Sequence, residues 1–115
     1  MNIAIVGSRG YADPVAVREF VRSAPEGTVI VSGHCPNSPD WWAEEEARKR
    51  GLDCMIFPAD WKKYGKSAGF KRNKDIVVAA DLVVAFWDGA SRGTQNTIKL
   101  ARDAGKEVMV ISPSI

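Results

Sequence analysis

Apolar residues gather in five short runs along the chain, with longer stretches of mixed polarity between them. The runs are Ile3–Val6, Thr28–Ser32, Cys54–Pro58, Leu82–Phe86 and Glu107–Ile111. Most consist of Val and Ile without polar alternation, the pattern of strands buried on both faces of a parallel sheet. The intervening stretches predict four helices. Asp13-Pro14 is an N-cap and first-turn pair for a helix reaching about Ala24. Ser38-Pro39 or Asp40 opens a second, which stops near Gly51. A third runs from Ser67 to about Ala80, and the last runs from Gly93-Thr94 to Gly105, a natural C′ residue. Strands alternating with helices in this way predict one α/β domain over residues 1–115. It is Rossmann-like and three-layered, with a five-stranded parallel sheet in the order 3-2-1-4-5. Strands one and four then lie side by side at the switch point, where such sheets bind ligands beyond the carboxyl ends of their strands.

The loops at that point carry the candidate chemistry. In Trp87-Asp88-Gly89-Ala90-Ser91-Arg92-Gly93-Thr94, the glycines let backbone approach a ligand and the following helix offers unsatisfied N–H groups to phosphate. Thr94 adds a hydroxyl and Arg92 a guanidinium; the alternative is a strand-to-helix turn whose glycines only permit tight packing. Gly7-Ser8-Arg9-Gly10-Tyr11 faces it from strand one, although it is not a G-x-G-x-x-G fingerprint. Arg72 and Asn73 in the third helix can clamp an anion and hydrogen-bond a ribose or base, or stand as ordinary surface residues. In Gly33-His34-Cys35-Pro36 the neighbouring Cys and His suggest a nucleophile. Adjacent side chains point apart, however, and no second histidine exists, so a structural or ligand-lining role is favoured. Of Trp41 and Trp42, the second falls on the inward face with Ala43 and Ala47. Trp41 is left for a partner subunit or the crevice mouth. Glu44-Glu45-Glu46 reads as including a solvated face, with one carboxylate near the pocket available as a base.

Composition adds limits. Hydrophobic residues make up 45% of the chain and charged residues 26%, ordinary for a globular protein. The absence of a basic-then-apolar leader predicts no secretory signal, and no apolar run approaches the roughly 20 residues of a membrane span. Cys35 and Cys54 have neither metal-ligand spacing nor the number for a disulfide framework, which suits a reducing cytoplasm. The net charge of +2 does not by itself imply nucleic acid. Lys62–Lys74 nevertheless holds six basic residues and no acidic one.

Five motifs in order, Gly7-Ser8-Arg9, Gly33-His34-Cys35-Pro36 with Asp40, Pro58-Ala59-Asp60-Trp61, Ala68-Gly69 with Arg72-Asn73, and Gly89 with Arg92-Gly93-Thr94, resemble the SLOG superfamily over almost the whole chain. The resemblance is to its small, single-domain, YspA-like branch of bacteria and phages. That superfamily also holds the DNA-processing protein DprA, molybdenum-cofactor carriers and the "lonely guy" phosphoribohydrolases. The resemblance implies a nucleotide-related ligand with its phosphate at Gly89–Thr94. The residues expected at that ligand are Gly7, Ser8, Arg9, Gly33, His34, Cys35, Asp40, Arg72, Asn73, Asp88, Gly89, Ser91, Arg92, Gly93 and Thr94. Two departures stand out. The usual Gly-Ala-Asp before the second helix is Ser38-Pro39-Asp40. The two glutamates that follow Gly-Thr in the phosphoribohydrolases are replaced by Gln95-Asn96, which carry no charge to stabilise an oxocarbenium ion.

Three functions follow. The first is a module that senses or sequesters a nucleotide or an NAD- or ADP-ribose-derived molecule. The second is a hydrolase or transferase acting on the N-glycosidic bond of a nucleoside monophosphate, with Asp88, Asp40 or Glu44 as the carboxylate. The segment Asp81–Val110 resembles part of the nucleoside deoxyribosyltransferases, which keeps transfer open. The third is single-stranded nucleic-acid binding through Lys62–Lys74, with Trp61, Tyr64 and Phe70 stacking on bases. The first ranks highest. No metal or cofactor and no membrane is expected; self-association is.

Overall fold

The computed structural model describes residues 1–113. Strands β1 (Asn2–Gly7), β2 (Val29–Ser32), β3 (Asp53–Ile56), β4 (Leu82–Phe86) and β5 (Glu107–Ile111) form one parallel sheet ordered β3-β2-β1-β4-β5. The predicted α/β class and strand order are therefore those observed.

Alternation along β1 sends its side chains into two separate cores. Ile3 and Ile5 pack with Ile30, Val84 and Phe86 beneath α1 (Pro14–Ser23) and α2 (Pro39–Arg50). Ala4 and Val6 pack on the opposite face with Val31, Val83 and Ala85 beneath two further helices. Those helices are α4 (Ala68–Ala79) and α5 (Arg92–Asp103). Both faces of β1, β2 and β4 are thus covered, which explains their unbroken apolar runs. The outer strands differ: Met55, Ile56, Met109 and Val110 are exposed, because β3 and β5 are edges that the helices do not fully cover.

Helix ends follow local chemistry. Asp13 Oδ1 accepts the Ala16 N–H at 3.2 Å, with Pro14 in the first turn of α1. Gly51 ends α2 at φ 72°, a left-handed position that suits glycine. Two boundaries differ from the sequence-based expectation. Strand β3 stops at Ile56 rather than Pro58; the Phe57 N–H still reaches the Ser32 carbonyl at 2.8 Å, but Pro58 has no N–H to give. A one-turn helix, α3 (Trp61–Tyr64), precedes α4, begun by Asp60 Oδ1 accepting the Lys63 N–H at 3.1 Å. A short 3₁₀ turn, Gly65–Ser67, joins α3 to α4. Among the described residues, no helix is long and apolar enough to cross a membrane.

Candidate functional site

At the carboxyl end of the sheet a cleft of about 570 Å³ lies between the turns after β1, β2 and β4 and the segment α3–α4. Its dimensions are those of small-molecule sites.

The turn after β1 supplies Gly7 and Arg9. Gly7 has no room for a side chain, since a Cβ would meet the Pro39 ring and fall 2.7 Å from the Phe86 carbonyl oxygen. Ser8 is buried; its N–H donates to the Phe86 carbonyl and its Oγ accepts the Asp88 N–H at 3.2 Å. It ties the two central turns together and does not line the cleft. Arg9 is exposed, with Nη2 3.7 Å from Cys35 Sγ.

The turn after β2 is polar, and two of its groups, Ser38 and Asp40, are buried. Asp40, 6% exposed, accepts the Cys35 N–H at 3.1 Å and contacts the Ser38 hydroxyl. Burial pushes its carboxyl up to about 6, against the opposing effects of the Cys35 N–H and the Arg72 guanidinium. Arg72 Nη1 donates to the Gly33 carbonyl at 2.6 Å. A Cβ at Gly33 would lie 2.9 Å from Arg72 Cζ, so the glycine lets the guanidinium sit against the turn. His34 and Cys35 complete this wall, and Trp41 lies half-buried against the His34 ring, 4.7 Å between centroids. Trp41 stacks on a cleft-lining residue without lining the cleft itself, while Trp42 packs on the first core.

Of the Glu44–Glu46 run, only the Glu45 side chain, 39% exposed, stands at the surface. Glu44 and Glu46 are 1% and 2% exposed. Glu46 pairs with Arg18 and Arg22 of α1 and with Lys49, cations that hold its carboxyl low despite burial. Glu44 bonds Ser32 and His34 behind the cleft wall.

The third wall comes from α3 and α4. Arg72 Nε donates to Asn73 Oδ1 at 3.1 Å, and Asn73 Nδ2 lies 3.4 Å from both the Gly93 carbonyl and Asn96 Oδ1. A hydrogen-bonded chain therefore crosses the cleft from the β2 turn to the start of α5. Trp61 and Phe70 also line the cleft, 60% and 53% exposed, together with Lys66. Of the Lys62–Lys74 cations, only Lys66 and Arg72 line it. The sequence marked Trp61 and Phe70 as stacking residues and missed Lys66 and Thr97 as lining, for their place follows from the α3 turn and the pitch of α5.

The turn after β4 divides in two. Its first half closes on itself: Asp88 Oδ1 accepts the Ala90 and Ser91 N–H groups at 2.8 and 2.9 Å, which hold the carboxyl below its ordinary value. Gly89 takes the left-handed φ of 85° that this bend needs. The second half opens on the cleft through Ser91, Gly93 and Thr94. Ser91 caps Thr94, while the Arg92 and Gly93 N–H groups find no acceptor among the described residues. The structure thus brings Gly7, Arg9, Gly33, His34, Cys35, Asp40, Arg72, Asn73, Ser91, Gly93 and Thr94 to one cleft. Ser8, Asp88 and Gly89 stand outside it, and Arg92 turns to a separate groove with Trp87, Lys99 and Arg102.

No family model matches the chain. It is 33% identical over 118 aligned residues to the gene 61 protein of Mycobacterium phage D29, with 94% of each chain covered. Its fold is also that of DNA processing protein A from Helicobacter pylori, a protein studied for its single-stranded DNA binding mode. The TM-score is 0.68 at 19% identity; the match covers 96% of this chain and 64% of the other, so this chain spans under two thirds of that protein.

Proposed function

The chain belongs to the family of the Mycobacterium phage D29 gene 61 protein, and on that premise we propose that it binds a nucleotide-type small molecule in the cleft. One observation carries this reading. Cationic groups (Arg9, Lys66, Arg72), the unpaired Gly93 N–H at the start of α5 and two exposed aromatic rings meet in a single cavity. A nucleotide is a ligand class with both an anion and a flat π-face. The phosphate belongs at Gly93–Thr94 beside Arg72, because Asp88 already occupies the amides of the first half of that turn and would repel a second anion there. The base stacks on Trp61 or Phe70, and the ribose meets Asn73. Binding is favoured over N-glycosidic cleavage because Asp88 faces its own loop, Glu44 is bonded behind the wall and Asp40 is buried beside Arg72.

A thermal-shift panel of AMP, ADP, ATP, NAD and ADP-ribose tests the proposal. At least one should raise the melting temperature of the wild type and leave Arg72→Gln unmoved. No shift with any of them contradicts it. A second reading, single-stranded nucleic acid along α3 and the start of α4, draws on exposed Trp61, Tyr64 and Phe70 set among Lys62, Lys63, Lys66, Lys71 and Lys74. Two of these lysines already lie over the Tyr64 ring, at 5.2 and 4.8 Å. Fluorescence anisotropy with oligo-dT should then show affinity falling steeply with salt; no binding at low salt removes that reading.

A further inference from the structure

Behind the wall formed by the β2 turn stands a group of side chains that ligand binding alone does not require. Glu44, 1% exposed, accepts a hydrogen bond from Ser32 Oγ at 2.6 Å and sits 2.8 Å from His34 Nδ1. Arg48 approaches the same carboxylate from the surface at 3.3 Å. The His34 N–H donates back to Ser32 Oγ at 3.0 Å, and the residue holds a positive φ of 59°. An imidazole is thus fixed in an uncommon backbone conformation by a buried carboxylate. With Nδ1 taken by Glu44 and one face near Trp41, Nε2 is the ring nitrogen without a partner among the described residues, on a residue that lines the cleft.

The neighbours of His34 are both engaged by guanidinium groups. Arg72 bonds the carbonyl of Gly33, and Arg9 lies against the thiol of Cys35. Arg9, His34 and Arg72 all line the cleft, and the two guanidinium groups are suited to holding phosphoryl oxygens. A carboxylate on Nδ1 favours the tautomer with its proton there, which leaves the Nε2 lone pair to accept a proton.

We propose that His34 is the general base for hydrolysis of a phosphoryl bond in a nucleotide held by Arg9 and Arg72, with Glu44 as its positioning residue. This rests on nucleotide binding in the same cleft. A water oxygen bonds to phosphorus and its proton passes to His34 Nε2. The bond from phosphorus to the bridging oxygen breaks, and its electron pair leaves on that oxygen. The imidazolium returns the proton to it, so one water is consumed and two shorter products are released.

The test incubates the full chain with AMP, ADP, ATP, NAD and ADP-ribose, each with Mg²⁺, in ¹⁸O-enriched water, followed by ³¹P NMR. A phosphate product carrying ¹⁸O is expected from at least one. His34→Asn should lower kcat by about 100-fold or more while KM changes only a few-fold; asparagine tolerates the positive φ, so the turn keeps its shape. Glu44→Gln retains a partner for Ser32 and should also lower kcat at nearly constant KM, a split that a purely structural role would not produce. Nucleotides that bind without yielding labelled phosphate, or turnover that survives His34→Asn, overturn this inference and leave the binding reading standing. Failure of every nucleotide to bind overturns both.

Discussion

The turn after β2 and the turn after β4 both end a parallel strand beside the same cleft, yet they spend their polar groups in opposite ways. Asp88 stands in solvent and satisfies the amides of its own loop, so that half of the β4 turn presents little to a ligand. Asp40 is buried, and its turn directs Gly33, His34 and Cys35 to the cleft on a base of Ser32, Ser38 and Glu44. A glycine-rich sequence marks where backbone bends; whether the bend is open or already filled depends on which side chain reaches back into it. Of these two turns, the one richer in glycine is half-closed, and the less conspicuous one is built for contact.

The largest difference should appear on truncating the two carboxylates that support these turns. Glu44→Ala strips partners from Ser32 and His34 and leaves a cavity, and should cost about 3 kcal/mol in urea unfolding. Asp88→Ala removes a solvent-exposed loop bond and should cost about 1 kcal/mol or less. Equal losses would erase the contrast.

The two aspartates should also oppose each other in pH. Asp40 carries a raised carboxyl, from 3.8 to about 6, so its stabilising contribution is complete below about pH 4 and declines as pH rises towards 6. The decline is on the order of 3 kcal/mol and should disappear in Asp40→Asn. Asp88 has a lowered carboxyl, so its contribution is present above the ordinary carboxylate range and is lost as pH falls through its folded value. Unfolding curves from pH 3 to 8 for the two asparagine variants check both signs.

Smaller effects should separate the two glycines. Gly33→Ala crowds the Arg72 guanidinium and should weaken nucleotide binding about tenfold with little change in stability. At Gly89 a Cβ meets open space, but φ is +85°, so Gly89→Ala should cost about 1 kcal/mol of stability and leave affinity nearly intact. Parallel melting and titration of the two variants would expose a reversed pattern.

Much of the frame was readable in the sequence because it rests on local signals. Val- and Ile-rich runs mark the strands, and Asp13-Pro14, Gly51 and Gly105 mark helix ends. The meeting of Gly7, Gly33 and Gly93 at one crevice followed from strand order, whereas Arg72 was marked by the family resemblance. What escaped depends on contacts between distant segments. Glu46 is buried because Arg18 and Arg22 reach it from α1, a pairing no local pattern announces. His34 lacked a second histidine in the sequence; its partner is Glu44, ten residues on, brought beneath it by the first turns of α2. The helix Trp61–Tyr64 is a single turn, too short for periodicity to show, although Asp60 ahead of Lys63 is its capping signal.

The most direct test of the cleft as a nucleotide site is isothermal titration of ADP and ADP-ribose into the wild type, Arg72→Gln and Arg92→Gln. The account predicts saturable binding to the wild type, at least tenfold weaker binding to Arg72→Gln, and near wild-type affinity for Arg92→Gln, whose side chain faces the separate groove. Binding that survives the loss of Arg72 but fails without Arg92 would contradict it.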